Sequence, residues 1–275
     1  MNQSRPVNKP NAVNKPGAVN DAQALNVLVT GGSGASGVAV AGALRQAGFR
    51  VFTVGSDRAR IEEAAERAGD GVTPLVCDLA DLADVQALRK TLSETAGTID
   101  AVIHLVGGWR GANGIADQSD ADWEFLERGA VTTLRNVSRV FYADLAASDC
   151  GRFAMVSSTA VGKPTAATAS YVAAKAAAEA WTMAMAEGFS RDAAGAASTD
   201  SGTDPETAST ADPAAVRCAA VVLVVKALVD EGLRRQYPER SFPGATDVED
   251  LAAAVVGLFS RPAGELNGRR LLLAH

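Results

Sequence analysis

The chain has 275 residues, of which 47% are hydrophobic, and its formal net charge is −6. This length and hydrophobic content predict one large α/β domain with a sizeable core. The acidic balance argues against nucleic acid as the main partner. No apolar run approaches the roughly 20 residues that a membrane span needs, and the N-terminus lacks a hydrophobic signal core. We therefore expect no membrane partner and a cytoplasmic location.

The N-terminal segment 1–23 differs in composition from the rest. Val-Asn-Lys-Pro occurs at 7–10 and again at 13–16, and Val19-Asn20 begins a third copy. Proline and asparagine oppose helix and strand, and few apolar side chains are available for burial. We expect a disordered arm at 1–23 and a single dinucleotide-binding catalytic domain over 24–275.

From residue 24 onward, predicted strands and helices alternate. The strands are 25–30, 50–54, 72–76, 100–106, 151–157, 216–225 and 269–273. The helices are 38–47, 57–68, 81–95, 120–147, 170–188, 227–236 and 247–259, the last opened by a capping-box sequence at 246–249. Such alternation predicts a doubly wound parallel sheet of about seven strands with helices on both faces. Ligands on a sheet of this type bind beyond the carboxyl ends of the strands.

A glycine-rich turn follows the first strand. Gly31 permits a sharp turn, Gly34 leaves room for a pyrophosphate to approach the backbone, and Gly37 lets the next helix pack closely. The N–H groups at the start of that helix favour bound phosphate. Taken alone, the turn is equally compatible with a plain loop between a strand and a helix.

Tyr171 and Lys175 are one helical turn apart and share a helix face. A nearby ammonium lowers the pKa of a phenol, which makes it a usable acid or base near neutral pH. Ser158, at the end of the predicted strand 151–157, could hold a substrate carbonyl while Tyr171 protonates it. A surface Tyr/Lys pair is the alternative interpretation.

With these residues the chain resembles the classical short-chain dehydrogenase/reductase family, with local resemblance to its dihydropteridine reductase branch in Gly107–Gly111 and Pro238–Phe242. The resemblance implies a Rossmann-type fold, a homodimer or homotetramer associated through helices 120–147 and 170–188, and the catalytic residues Ser158, Tyr171 and Lys175. The cofactor-binding residues that it implies, together with those expected from the turn after the second strand, are Gly31, Ser33, Gly34, Ala35, Ser36, Gly37, Ser56, Arg58, Asp78, Leu79, Val106, Gly107, Tyr171 and Lys175.

The chain departs from the family pattern at several points. Ala130 stands where the family has a catalytic asparagine, and Asn136 faces another side of the helix. The usual Pro-Gly after the sixth strand is absent. Trp109 could stack on a planar, quinonoid substrate or be an ordinary rim aromatic.

The residues after the second strand bear on the choice of cofactor. Gly55 occupies the usual position of an acid that would bind the ribose 2′-OH of NAD, whereas Ser56 and Arg58 could meet a 2′-phosphate. Asp57 would serve as the acid if the alignment slipped by one residue. We expect NADP(H) to be favoured over NAD(H).

Segment 190–213, rich in Ala, Ser, Thr, Asp and Gly, predicts a flexible acidic insertion. It could be a substrate lid or a tolerated surface insertion.

The cysteines and histidines are isolated in sequence and have no metal-ligand spacing, so we expect reduced thiols and no metal.

Two functions remain. The first is an NADP-dependent oxidoreductase that transfers hydride between nicotinamide and a small-molecule carbonyl or alcohol. The second is a catalytically degenerate protein of the same fold that senses the cofactor or acts as an interaction protein.

Overall fold

The computed structural model describes residues 24–201 and 216–273, and within them the side chains of 24–196 and 216–273. The strands of this part of the chain are β1 (Asn26–Thr30), β2 (Arg50–Gly55), β3 (Val72–Val76), β4 (Ala101–His104), β5 (Arg152–Ser158), β6 (Ala219–Val225), β7 (Leu228–Val229), β8 (Thr246–Asp247) and β9 (Arg269–Leu272). Seven of them form one parallel sheet in the order β3-β2-β1-β4-β5-β6-β9, and β7 pairs with β8 in a small second sheet. The order runs outward in both directions from β1, so the predicted doubly wound Rossmann-type sheet is confirmed.

Helices cover both faces of the large sheet. They are α1 (Ala35–Gln46), α2 (Arg58–Ala68), α3 (Leu82–Thr95), α4 (Asp120–Glu127), α5 (Thr133–Ala147), α6 (Ala169–Ser201), α7 (Glu231–Gln236), α8 (Val248–Gly257) and α9 (Ala263–Leu266). A π-turn, Arg128–Thr132, joins α4 to α5.

The strands are apolar because both faces of the sheet are buried. Leu28 on β1 belongs to a core that it shares with Phe141 of α5, among others. Its neighbours Val27 and Val29 point to the opposite core, which contains Leu44 of α1 and residues of α8. This alternation along one strand positions α3, α5 and α6 on one face and α1 and α8 on the other.

Two predicted helix starts were wrong. Helix α1 begins at Ala35, because the last turn of the glycine loop is already helical. The predicted helix 227–236 begins with a strand, since Leu228 and Val229 pair with Thr246 and Asp247. Asp230 then caps α7 by accepting a hydrogen bond from the Leu233 N–H at 2.6 Å.

The predicted end of the Tyr/Lys helix at 188 was also wrong, because α6 continues to Ser201. Alanines at 193, 194, 196 and 197 favour this continuation, and the Tyr142 hydroxyl on α5 donates a hydrogen bond to Asp192 at 2.7 Å. The predicted acidic loop therefore overlaps the helix, and its remainder at 202–213 lies outside the described residues, as does the predicted arm at 1–23. Although α6 has 33 residues, no described helix is both long and apolar enough to cross a membrane.

Candidate functional site

A cavity of about 470 Å³ lies at the carboxyl ends of β1 to β4. Its walls come from the ends of these strands and the loops that follow them, together with one residue each of α2, α4 and α5. The lining residues are Gly31, Ser33, Gly34, Val54, Gly55, Ser56, Asp57, Arg60, Cys77, Asp78, Leu79, Leu105, Val106, Gly107, Phe125 and Thr133. The cavity is at the edge of the sheet where the sequence predicted a ligand.

The glycine loop forms one wall of the cavity through close backbone contacts. Gly31 has φ +77°, and a Cβ there would lie 2.9 Å from the carbonyl carbon of Leu105. A Cβ on Gly37 would lie 2.5 Å from the oxygen of Gly31, so α1 packs directly on the loop. By contrast, the nearest atom to a Cβ on Gly34 would be 3.7 Å away. The predicted roles of the three glycines therefore agree with the geometry: a turn, an open approach and a close helix contact.

The start of α1 is open to an anion. Gly34 is its N-cap and provides no side-chain hydrogen bond to the first turn. N–H groups at a helix N-terminus that lack side-chain partners attract phosphate. The described residues therefore suit a pyrophosphate at this point.

In the turn after β2, the basic residue at the cavity is not the predicted one. Arg58 is not among the lining residues; its guanidinium pairs with Glu62 at 3.2 Å, and its side chain is 74% exposed. Arg60 lines the cavity instead. The reason is that Asp57 caps α2, accepting from the Arg60 N–H at 2.9 Å, so the helix begins at Arg58 and turns that side chain outward.

Gly55 provides no carboxylate at the position that carries the ribose-binding acid in the expected pattern. A Cβ there would meet the Ser33 hydroxyl, which would have to rotate away, and Cβ of Ile61 at 3.3 Å. Ser56, Asp57 and Arg60 line the cavity beside it.

Asp78 and Leu79 follow β3 and are contacted by residues of the π-turn and of α5. Asp78 Oδ2 lies 2.6 Å from Nη2 of Arg128, and Asp78 Oδ1 accepts from the Ala80 N–H at 3.0 Å. The Leu79 carbonyl accepts from Nδ2 of Asn136 at 3.1 Å. Asn136 is thus occupied with this loop and faces away from the asparagine position of the expected pattern.

His104, the last residue of β4, is buried and joins two elements. Its Nδ1 is 2.8 Å from Thr30 Oγ1, and its Nε2 is 3.2 Å from Thr133 Oγ1. The Thr133 hydroxyl donates to the Gly129 carbonyl at 2.8 Å, so it must accept from His104. The imidazole is therefore protonated at Nε2, and Thr30 donates to Nδ1.

Burial lowers the pKa of His104 to about 3, and the charge of Lys175 adds to this effect. A neutral imidazole at physiological pH agrees with the hydrogen bonds. This network was not predicted from the sequence, because Thr133 reaches His104 only through the fold.

Ser158 and Lys175 lie near the end of β5. Ser158 is buried, and its Oγ accepts from the Ala160 N–H at 3.1 Å. Nζ of Lys175 donates to the Val156 carbonyl at 2.9 Å, and a Cβ on Gly107 would lie 3.2 Å from the same Nζ atom. The ammonium group of Lys175 therefore lies beside Gly107, at the β4 end of the cavity. Burial lowers the pKa of Lys175 to about 8, and Glu179 opposes this shift.

The pKa of Tyr171 is raised, which is opposite to the predicted direction. Burial is the cause, and a hydrogen bond with Ser158 opposes it. The expected effect of Lys175 is absent because its ammonium bonds to Val156 instead. Tyr171 is therefore a phenol, a proton donor, at neutral pH.

The asparagine position is apolar in this structure. Ala130 is buried in the π-turn and packs in one cluster with Leu126 and Ala174, against which Tyr171 lies. Its methyl group fills space beside the Tyr171 helix and cannot exchange a proton.

The loop after Gly107 carries aromatic and cationic groups to the outer rim. The guanidinium of Arg110 lies 3.9 Å from the ring centroid of Phe125, which lines the cavity, and pairs with Asp122 at 3.4 Å. Ala112 donates to the Ala167 carbonyl at 2.9 Å, so the loop lies beside the start of the Tyr171 helix. Trp109 is 64% exposed.

The structure brings most predicted site residues together. Those lining the cavity are Gly31, Ser33, Gly34, Ser56, Asp78, Leu79, Val106 and Gly107. Ala35, Ser36 and Gly37 form the first turn of α1 and do not line it. Arg58, Ser158, Tyr171 and Lys175 are not among the lining residues either, and Lys175 approaches the cavity at Gly107. The lining residues that were not predicted include Arg60, Phe125 and Thr133, of which Arg60 carries a basic charge close to the predicted Arg58.

Metal chemistry has no support among the described residues, where no cluster of three or more His, Cys, Asp or Glu side chains could hold an ion. Cys77, which lines the cavity, is a protonated thiol. Burial and the nearby Asp84, Asp78 and Asp81 raise its pKa to about 12.

A family model described as short chain dehydrogenase matches residues 25–196. The chain is 26% identical over 159 residues to the 3-oxoacyl-[acyl-carrier-protein] reductase FabG of Vibrio harveyi, covering 58% of this chain and 65% of that protein. It is 36% identical over 95 residues to an uncharacterized short-chain type dehydrogenase/reductase of Sinorhizobium fredii, covering 34% of this chain and 36% of the other. The alignments thus span less than two thirds of these curated relatives.

Solved structures share the fold. One is the NADPH-bound short chain oxidoreductase from Pseudomonas aeruginosa PAO1 containing an atypical catalytic center, with TM-score 0.72, 18% identity and coverage of 90% of this chain and 94% of that one. Another is the 3-ketoacyl-(acyl-carrier-protein) reductase from Brucella melitensis complexed with NADH, with TM-score 0.72, 20% identity and coverage of 91% and 96%.

Proposed function

Because the chain belongs to the short-chain dehydrogenase/reductase family, we propose that it is an NADP-dependent oxidoreductase acting on a small carbonyl/alcohol pair. The observation that carries this proposal is the position of Lys175, whose Nζ lies 3.2 Å from the Cβ position of Gly107 at the cavity wall and which shares a helix with Tyr171. Ser158, which opposes the rise in the pKa of Tyr171, adds the third group.

A nicotinamide dinucleotide fits the lining residues. The open backbone at Gly34 and the uncapped start of α1 suit its pyrophosphate, and the β4 end at Gly107 suits its nicotinamide half. Bound there, the cofactor supplies or accepts hydride.

The side chains then have distinct tasks. Ser158 donates a hydrogen bond to the carbonyl oxygen of the substrate and orients it. Tyr171 gives that oxygen its proton, since the phenol is protonated at neutral pH. Lys175 leaves the Val156 carbonyl or shares its protons to bind a ribose hydroxyl, which positions the nicotinamide.

Preference for NADP(H) is supported by the turn after β2. Gly55 provides no acid to the ribose, and Ser56 and Arg60 offer a hydroxyl and a guanidinium to a 2′-phosphate. Asp57 is the competing ribose ligand, but its Oδ1 already caps α2. The cofactors named for the two solved structures, NADPH and NADH, are consistent with either preference.

The rim loop bears on the substrate. Trp109 is exposed, and the Phe125 ring lines the cavity under the Arg110 guanidinium. Flat aromatic faces favour stacking with planar rings, so quinonoid carbonyl compounds belong in the first substrate panel.

The test is a panel of carbonyl compounds and quinones, assayed with NADPH and NADH for wild type, Tyr171→Phe and Tyr237→Phe. The Tyr237 variant is the control, since that side chain is 44% exposed and does not line the cavity. We expect turnover by wild type and the control, and loss of about 100-fold or more in kcat for Tyr171→Phe with cofactor affinity retained. Full activity of Tyr171→Phe would contradict the mechanism. Tight NADPH binding without any turnover would favour the cofactor-sensing alternative.

A further inference from the structure

Arg128, which is not itself among the residues that line the cofactor cavity, forms an ion pair with Asp78, which is. Asp78 lies on the side of β3 and lines the cavity. Arg128 begins the π-turn, whose next residue, Gly129, has its Cβ position 3.9 Å from Cα of Gly107 on the side of β4. The side chain of Arg128 therefore starts beside one wall and ends on the other, with 2.6 Å between its Nη2 and Asp78 Oδ2.

The position of this bridge along the cavity is defined by the proposed cofactor orientation. The phosphates lie at the glycine loop, and the reacting groups Ser158, Tyr171 and Lys175 lie on the side of β4 and β5. The adenosine half must then lie toward β2 and β3, the side to which Asp78 and Leu79 belong.

The loop that carries Asp78 is held at a second point. Asn136 of α5 donates to the Leu79 carbonyl from a buried position, so the loop has an anchor besides Arg128. The Arg128 side chain is 60% exposed, so it is accessible to a ligand.

We propose that Arg128 binds the adenine ring of the dinucleotide, stacking the plane of its guanidinium on the base while Asp78 fixes the orientation of that plane. This inference rests on the proposed function. A guanidinium is planar and weakly hydrated, so it stacks on aromatic rings better than an ammonium does. The carboxylate holds the flexible side chain in one orientation, which lowers the entropy lost when the ligand binds.

The test separates the two halves of the cofactor. ADP-ribose, which contains adenine, is titrated by calorimetry, and reduced nicotinamide mononucleotide, which lacks it, is titrated by fluorescence. For Arg128→Met we expect the Kd of ADP-ribose to rise about three- to thirtyfold, in the range of a cation–π contact, and the Kd of the mononucleotide to stay unchanged. Arg217→Met is the matched control, because Arg217 is also 60% exposed and pairs with Asp149 at 2.7 Å. It should alter neither affinity.

A second variant, Arg128→Lys, keeps the positive charge that pairs with Asp78 but removes the planar guanidinium group. It should bind ADP-ribose about as weakly as Arg128→Met, and it carries the test if the methionine variant fails to fold. Wild-type affinity for ADP-ribose in either variant would overturn the inference, and so would an equal loss of affinity for the mononucleotide. If the wild-type protein bound neither ADP-ribose, nor the mononucleotide, nor NADPH, the proposed function itself would be overturned.

Discussion

At the scale of single residues, the structure assigns His104 a role that its sequence position did not reveal. Its two ring nitrogens join the end of β1, at Thr30, to the first turn of α5, at Thr133. Thr133 lines the cavity and Thr30 directly precedes the lining residue Gly31, so the imidazole links two segments that form the cavity. Sequence spacing could not predict this, because the network depends on a helix that folds back onto β4.

The first prediction concerns the effect of acid on His104. Its folded-state pKa of about 3 is below the ordinary value of 6.5, so the unfolded chain binds the proton more readily between these values. The contribution of His104 to stability is therefore full above pH 6.5 and is lost as pH falls toward 3. Urea denaturation at pH 7 and at pH 5 measures the free energy of unfolding. The decrease in this free energy from pH 7 to pH 5 should be about 2 kcal/mol smaller for His104→Asn than for wild type.

Carboxylates titrate in both proteins, so their contribution to the pH dependence of the free energy of unfolding cancels in the difference. Equal losses in wild type and His104→Asn would contradict the buried neutral imidazole.

At the scale of elements, the contact between α1 and the glycine loop shows what sequence reasoning can establish. The spacing of Gly31, Gly34 and Gly37 predicted a turn, an open backbone and close packing, and the distances that a Cβ atom would have at each position agree with these roles. The need for glycine at Gly32 was not predicted. A Cβ there would lie 2.7 Å from Cβ of Thr53, a contact that depends on how β2 lies beside the loop.

The second prediction uses two of these glycines as a matched pair. Gly37→Ala places a methyl group against the backbone of Gly31 and Gly32, which cannot yield locally, so we expect a loss of about 2 kcal/mol or more in the free energy of unfolding. Gly34→Ala meets nothing closer than 3.7 Å and should unfold like wild type, but its methyl group occupies the phosphate approach.

Thermal unfolding and NADPH titration of both variants check this pair. Gly34→Ala should weaken NADPH binding at unchanged melting temperature. A Gly37→Ala protein as stable as wild type would show that the close packing has been misjudged.

Helices α4 to α6 show where local pattern reasoning fails. The predicted helix 120–147 is present, but the π-turn inside it was not predicted, since its hydrogen-bond pattern leaves no period in the sequence. The predicted end of α6 was wrong because small and acidic residues were taken as a loop signal, whereas alanine favours helix and Asp192 has a partner on α5.

At the scale of the whole molecule, alternating strands and helices were enough to predict the parallel sheet and the edge at which the site lies. The charges that surround the site were not predictable in the same way. Arg128 and Asp78, or Arg270 and Glu179, are distant in sequence and meet only once the sheet has formed. The sequence therefore predicted the scaffold and the motif positions better than the rim of the cavity.

The third prediction is the assembly of the chain. We propose a homodimer or homotetramer that associates through the outer face of α5 and α6. A depression of about 510 Å³ lies on that face, lined in part by Trp181, Met185 and the exposed Ala184. An arginine at Ala184 would place a charge in the interface, so Ala184→Arg should sediment as a monomer.

Ala253→Arg is the control, because Ala253 is an exposed alanine of α8 on the opposite face of the sheet. Sedimentation velocity should give the wild-type species for this control. A monomeric wild type, or an Ala184→Arg protein that still assembles, would contradict the proposed interface.

The most direct measurement is a fluorescence titration of the purified protein with NADPH and with NADH. The account predicts saturable binding of both, with the lower Kd for NADPH, because Ser56 and Arg60 can receive a 2′-phosphate and Gly55 provides no acid for the ribose. Tighter binding of NADH would show instead that Asp57 binds the ribose. Absence of binding by either nucleotide would contradict the central claim that this cavity holds a nicotinamide cofactor.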